Sequence, residues 1–216
     1  MAAAVAADVR LGTVFVLAGD ATGRDLAERG HGDLVVVDEA TLRRLGTTET
    51  PQSPVAVISV PQPARSVGGR VVVAWGVSDP GNCGALIRIA AAFGYGFLAG
   101  PECAEPWSPK VLRSAAGAHF AVALGRIATV DEARAGGRIV VATVARGGIV
   151  PGPLPEAAAI LVGNEAHGLS DEVVAAADLC VTIPNTGAVE SLNAAAAGAI
   201  VAYLGAAGPT TNLPVP

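Results

Sequence analysis

Residues 160–204 read ILVGNEAHGLSDEVVAAADLCVTIPNTGAVESLNAAAAGAIVAYL, and three short polar runs interrupt their apolar flow. Gly163-Asn164-Glu165 follows one apolar strand, Ile183-Pro184-Asn185 follows a second, and Ser191-Leu192-Asn193 opens an Ala-rich helix. Each run combines small residues with one or two amides or a carboxylate, so it offers a ligand backbone groups and little formal charge. Such loops suit a small organic cofactor better than a metal ion, which needs clustered His, Cys or carboxylate ligands. Cys83, Cys103 and Cys180 lack the close pairing of a zinc site, and His31, His119 and His167 are equally scattered, so no metal and no disulfide framework is expected. Cys83 and Cys180 lie beside apolar residues and read as inert packing groups.

A fourth run, SDPGNCGALIRIAAAFG at residues 78–94, is a strand-to-helix turn in which Pro80-Gly81 makes the bend. Leu86, Ile89, Ala90 and Phe93 share one helical face, and Arg88 lies about 200° round from Leu86, away from that stripe. Taken alone, Arg88 is a solvated arginine and Asn82 an ordinary helix cap. Glu165 differs, because the carboxyl ends of parallel strands are where α/β sheets open onto ligands. Ser191 reads either as a cap or as part of a loop that, with Gly187, presents backbone groups.

These residues need a scaffold, and the chain supplies alternating signals for one. Thr13–Ala18, Leu34–Val37 and Pro54–Val60 read as strands, with Asp38 capping a helix through Leu45. PQPARSVGG, residues 61–69, has no periodicity and reads as a linker. Beyond it, strands are expected at Val71–Gly76, Tyr95–Ala99, Phe120–Leu124 and Ile139–Val144, with helices at Asn82–Phe93 and Ser108–Ala115. Near-continuous Val/Ile/Leu runs separated by helices indicate an α/β fold with a mainly parallel sheet covered on both faces.

The chain has 216 residues, 51% hydrophobic and 15% charged, with 27 glycines, enough to bury a substantial core in one main domain with an appendage. The apolar stretch at 194–204 is far shorter than the ~20 residues a bilayer requires, so no membrane span is expected. MAAAVAADVR has no basic segment ahead of its apolar run, and a cytoplasmic location is expected. The net charge of −5 weighs against nucleic acid as a partner, since phosphate neutralisation supplies much of such affinity. Neither half is basic: residues 1–65 hold 6 basic and 8 acidic groups, and the remainder 8 and 11.

Taken together, DPGNCGALIRIAAAFG, ILVGNEAHGL and VTIPNTGAVESLNAAAAGAIVAY resemble, in order and separation, the three motifs of the SpoU/TrmH family of S-adenosylmethionine-dependent RNA 2′-O-ribose methyltransferases, part of the knotted SPOUT class. The resemblance is clear over residues 70–204 and includes WSPKVLRSAAGAHF as the middle segment. More faintly, residues 13–60 resemble the last part of the family's small ribosomal-protein-like RNA-binding domain, without its opening helices and strand. The implied architecture is a knotted, SPOUT-type, mainly parallel sheet flanked by helices over residues 68–208, with a small truncated α/β extension over residues 1–62.

By motif position, the resemblance implies that the backbones of Gly163, Ile183 and Leu192, with Asn164 and Thr143, hold S-adenosylmethionine. It places Asn82, Arg88, Glu165, Ser191 and Asn193 on the reactive face. Arg88 is the family's usual candidate for assisting proton removal, but a guanidinium is a poor base at neutral pH, so a bidentate grip on a neighbouring phosphate is the better expectation. Homodimerisation through the knotted region and an RNA substrate, ribosomal rather than transfer RNA, are further implications. The sequence departs from the family in carrying only alanines after Asn193 and in its curtailed extension. The competing reading is a non-catalytic α/β module that binds S-adenosylmethionine or a nucleotide. A dinucleotide-dependent dehydrogenase is disfavoured, because Gly81-Asn82-Cys83-Gly84 lacks the G-x-G-x-x-G spacing.

Overall fold

The computed structural model describes residues 1–46, 50–64 and 67–206, and the chain divides into two compact units, 1–62 and 63–216. In the first, α1 (Ala2–Ala6), β1 (Thr13–Val16), α2 (Ala21–Arg29), β2 (Asp33–Val36), α3 (Glu39–Leu45) and β3 (Val55–Ala56) follow in order. β1 is central, pairing parallel to β2 and antiparallel to β3. Asp20 and Asp38 cap α2 and α3, accepting from the amides of Gly23 and Thr41 at 2.7 Å each. The strand expected over Pro54–Val60 shortens to Val55–Ala56, with the Val57 amide adding one bond to the Thr13 carbonyl at 2.9 Å, and Pro54 has no amide to offer a ladder. Residues 47–49, within the segment compared with the RNA-binding domain, lie outside the described residues, as do 65, 66, 207 and 208.

The second unit contains β4 (Val71–Ala74), α4 (Pro80–Ala92), β5 (Gly96–Ala99), α5 (Pro109–Ala115), a 3₁₀ turn (Ala118–Phe120) and β6 (Leu124–Arg126). Then follow α6 (Val130–Ala133), β7 (Ile139–Thr143), β8 (Ala158–Val162), α7 (Asp171–Ala175), β9 (Leu179–Val181) and α8 (Ala194–Ala206). Its six strands lie in the order β6-β5-β4-β8-β7-β9, and every pairing is parallel. Parallel sheets are stable only when both faces are covered, and the burial pattern obeys this. Val72, Ala74, Ala158, Ile160 and Val162 enter one apolar cluster with α4 and α8, while Val71, Val73, Ala159 and Leu161 enter another with Ala133 of α6 and Val173 of α7. All four residues of β4 and all five of β8 are buried.

Two expected elements move. Phe120–Leu124 was read as a strand, yet the 3₁₀ turn ends at Phe120 and the strand runs Leu124–Arg126, where it pairs with β5 alone at the sheet edge. The helix expected to start at Asn82 starts at Pro80 instead, because Asp79 is the cap: its Oδ1 accepts the Asn82 amide at 2.8 Å. Proline at the first helical position loses no hydrogen bond that the helix would have made. The consequence is functional, since the Asn82 side chain is left free for other partners.

After edge strand β9 the chain returns to the middle of the sheet, and α8 packs on α4 and β8. Small residues permit the approach: a methyl group at Gly198 would sit 2.5 Å from Leu86 Cδ2. Tyr95 fixes the far end by donating its hydroxyl to the Ala202 carbonyl at 2.9 Å.

Candidate functional site

Strands β4 and β8 are neighbours, so the loops at their carboxyl ends, 75–79 and 163–169, lie side by side. Glu165 bridges them. Its Oε1 accepts from the Asp79 amide at 3.2 Å and from Asn82 Nδ2 at 3.0 Å, and its Oε2 accepts from the Ser78 amide at 3.3 Å. Burial pushes the Glu165 carboxyl up, but the Asn82 amide and the backbone donors outweigh it and hold the group below the usual carboxylate range. Glu165 is therefore an anion at neutral pH, with its lone pairs committed to the protein.

Asn82 turns its other end to the third loop, where Asn193 Nδ2 donates to Asn82 Oδ1 at 2.9 Å. Asn193 Oδ1 in turn accepts the Ala196 amide at 3.1 Å and caps α8. One chain of amides and a carboxylate thus ties the start of α4, the loop after β8 and the start of α8 together. The 163–169 loop is shaped separately by Asn164, whose Nδ2 donates to the Gly76 carbonyl at 2.8 Å and whose Oδ1 accepts from the amides of Ala166 and His167. Asn164 and Gly168 also exchange backbone hydrogen bonds at 3.0 and 2.9 Å, a tight turn closed by Gly168 at φ +68°.

Beside this network lies a cleft of about 340 Å³, within the size range of small-molecule sites. The ends of β7 and β8 and the segments 163–169 and 183–192 wall it. Gly163 is required there for space: a Cβ would stand 2.4 Å from the Gly168 carbonyl carbon and 2.6 Å from the Leu169 nitrogen. Thr143 commits its hydroxyl to the Leu161 carbonyl at 2.9 Å, which leaves backbone as the main polar lining on that side.

A family model described as SpoU rRNA Methylase family matches residues 69–203. The chain belongs to the SpoU rRNA methylase family. The 23S rRNA (guanosine(2553)-2′-O)-methyltransferase RlmP of Bacillus subtilis is 35% identical over 174 residues, 78% of this chain and 70% of that protein. Among solved structures, the SpoU methyltransferase AviRb from Streptomyces viridochromogenes in complex with AdoMet superposes with a TM-score of 0.81 at 25% identity, covering 95% of this chain and 85% of that one. The AdoMet-bound rRNA methyltransferase from Sinorhizobium meliloti gives 0.79 at 26% identity, covering 94% and 82%.

Within this SpoU-family chain, Thr143, Gly163, Asn164, Ile183 and Leu192 all line the one cleft, together with Glu165 and Ser191. Asn82 hydrogen-bonds both Glu165 and Asn193. Ser191 is not the cap of α8, a position taken by Asn193. Arg88 stands exposed on α4, six residues beyond Asn82, and makes no hydrogen bond or ion pair among the described residues. Gly84 packs against α5, where its Cβ would meet Ser114 at 2.5 Å, and Arg88 is one turn further along that face. Sequence reasoning missed Ser78 and Asp79, whose amides hold Glu165, and Glu190 in the cleft wall. An Asp-Pro pair ahead of a helix was the available signal for Asp79. Among the described residues no His, Cys, Asp or Glu cluster has the makings of a metal site, and no helix is long and apolar enough to cross a membrane.

Proposed function

We propose that this chain transfers a methyl group from S-adenosylmethionine to a ribose 2′-hydroxyl of RNA, ribosomal RNA being the substrate class. The observation that carries the reading is the Glu165–Asn82–Asn193 bridge standing beside a glycine-walled cleft of cofactor size. The residues present fit the cofactor: the cleft is lined largely by backbone and small side chains, and a side chain at Gly163 would fill its wall. Thr143, Gly163, Asn164, Ile183 and Leu192 are the residues that would hold it. When bound, S-adenosylmethionine supplies an activated methyl group, so the protein's share of catalysis is chiefly placement.

Glu165 is a positioning residue rather than the base, because its oxygens already accept from Ser78, Asp79 and Asn82. Its anion fixes the Asn82 amide, and Asn82 fixes Asn193 at the mouth of the third loop. Arg88, exposed and uncommitted, is assigned to a substrate phosphate, which its planar fork grips in two places. Lys110 lies exposed on α5, the helix packed against α4. Residues 1–62 are assigned to RNA capture.

The return of the chain from β9 to α8 is read as the threading of a SPOUT knot. Ile200 and Tyr203 on α8 are 36% and 57% exposed, and the Tyr203 ring packs tilted against Phe93 with centroids 5.9 Å apart. An apolar helix face of this kind supports a homodimer through α8. Titration calorimetry of the full chain with S-adenosylmethionine tests the shared foundation. Saturable one-site binding that Gly163→Ala abolishes is expected, and absence of binding by the wild-type chain contradicts the proposal.

A further inference from the structure

Cys83 Sγ and Cys103 Sγ lie 3.7 Å apart, although twenty residues separate them in the chain and neither belongs to the cleft. Cys83 is wholly buried on α4, immediately after Asn82, while Cys103 is only half-buried in the segment after β5. Two backbone bonds bind that segment to the β4–α4 loop: Gly76 donates to the Pro101 carbonyl and Ala104 to the Val77 carbonyl, each at 2.9 Å. The loop so bound is the one whose Ser78 and Asp79 amides hold Glu165. We propose that Cys83 and Cys103 form an oxidation site, a dithiol that hydrogen peroxide converts to a disulfide and that thereby reshapes the Asn82–Glu165 contact.

The local chemistry assigns the two sulfurs different roles. Cys103 is the half-buried and so the reachable sulfur, and the hydrogen bond it shares with Cys83, with the Arg126 guanidinium adding to it, holds its thiol below its usual value despite burial. That same bond pushes the Cys83 thiol up, with burial adding to it. Cys103, as thiolate, attacks the peroxide: an S–O bond forms, the O–O bond breaks, and hydroxide leaves to become water. Cys103 is then an uncharged sulfenic acid, and the anion that opposed ionisation of Cys83 is gone. Cys83 loses its proton and attacks the Cys103 sulfur, forming the S–S bond and breaking S–O, and the departing hydroxide takes up that proton as water. Two thiols and one peroxide become one disulfide and two waters, and a dithiol reductant reverses the change by exchange.

Bonded sulfurs sit about 2.05 Å apart, so closure draws the Cys103 segment and the first turns of α4 together beside Asn82. Intramolecular bridges of this sort are uncommon in reducing compartments and, where found, are usually transient or sensory. Cys180, on β9, is an internal control.

The test treats the full chain with a few equivalents of hydrogen peroxide and maps tryptic peptides without reduction. Peptides 71–88 and 89–110, carrying Cys83 and Cys103, are expected to appear joined, with Cys180 free in its own peptide and the link lost on adding dithiothreitol. Methyl transfer is expected to fall about 10-fold in the oxidised chain, to recover on reduction, and to withstand peroxide in Cys103→Ser. A sulfinic Cys103 without a link, a bridge to Cys180, or a Cys83–Cys103 bridge that leaves transfer unchanged would each overturn the proposal. The peptide map needs no substrate, so failure of the transferase reading does not touch it.

Discussion

Asn82 is the residue on which most of the site converges, because one side-chain amide both donates to Glu165 and accepts from Asn193. Asn82→Ala leaves two partners unsatisfied and frees the start of α8. Its kcat for methyl transfer should fall by about 100-fold, while S-adenosylmethionine affinity by calorimetry stays within about 3-fold, since the cleft wall is intact. Glu165 gives a test that reads charge. Its folded pKa is depressed, so its stabilising effect is complete above the ordinary value of 4.5 and drains away as pH falls through the folded value. Glu165→Gln should therefore have a lower urea midpoint than the parent at pH 7, and the two midpoints should converge below pH ~4. At Arg88 the discriminating change is Arg88→Lys: charge is kept and the planar fork lost, so kcat/KM on RNA should drop by about 10-fold or more with cofactor binding unaltered. Full activity in that variant would remove the phosphate-gripping role.

At the scale of elements, the close approach of the 163–169 loop to itself is the feature most easily broken. Gly163→Ala places a methyl group 2.4 Å from backbone that cannot yield cheaply. A loss of about 1–3 kcal/mol in chemical denaturation is expected, accompanied by loss of cofactor binding. This loop was legible in the sequence because Gly-Asn-Glu at the end of an apolar run is informative in itself, and the Ile-Pro-Asn and Ser-Leu-Asn loops were legible for the same reason. The cap of α4 was not: Asp79 and Asn82 are both good capping residues three positions apart, and only the placement of Pro80 at the first helical position decides between them. β6 was misplaced because an edge strand with one partner needs just three residues, too few for a period to show. The nearness of Cys103 to Cys83 is a contact between segments that no local pattern encodes.

For the molecule as a whole, an acidic protein reading RNA must concentrate its cations. With Arg88 gripping one phosphate, Arg88→Ala should make the slope of log K for RNA against log salt shallower by about 1. Filter binding across a salt series measures it, and an unchanged slope would mean that Arg88 touches no phosphate. The exposed face of α8 makes the assembly testable too: sedimentation should give a dimer that Tyr203→Asp converts to monomer. The parallel sheet and its two covered faces were readable from the Val-rich strands, whereas the return of α8 onto β8 came only through the resemblance to a knotted family, because it depends on small residues whose value lies in what they allow to approach.

The central claim is tested most directly by incubating the full chain with ribosomal RNA and S-adenosylmethionine labelled in the methyl group, then hydrolysing the RNA with alkali. A 2′-O-methyl group blocks cleavage of the adjacent phosphodiester, so label is predicted in alkali-resistant dinucleotides and absent from RNA treated with the Asn82→Ala chain at matched times. Label recovered on bases within single nucleotides, or none transferred by a chain that binds the cofactor, would contradict the account.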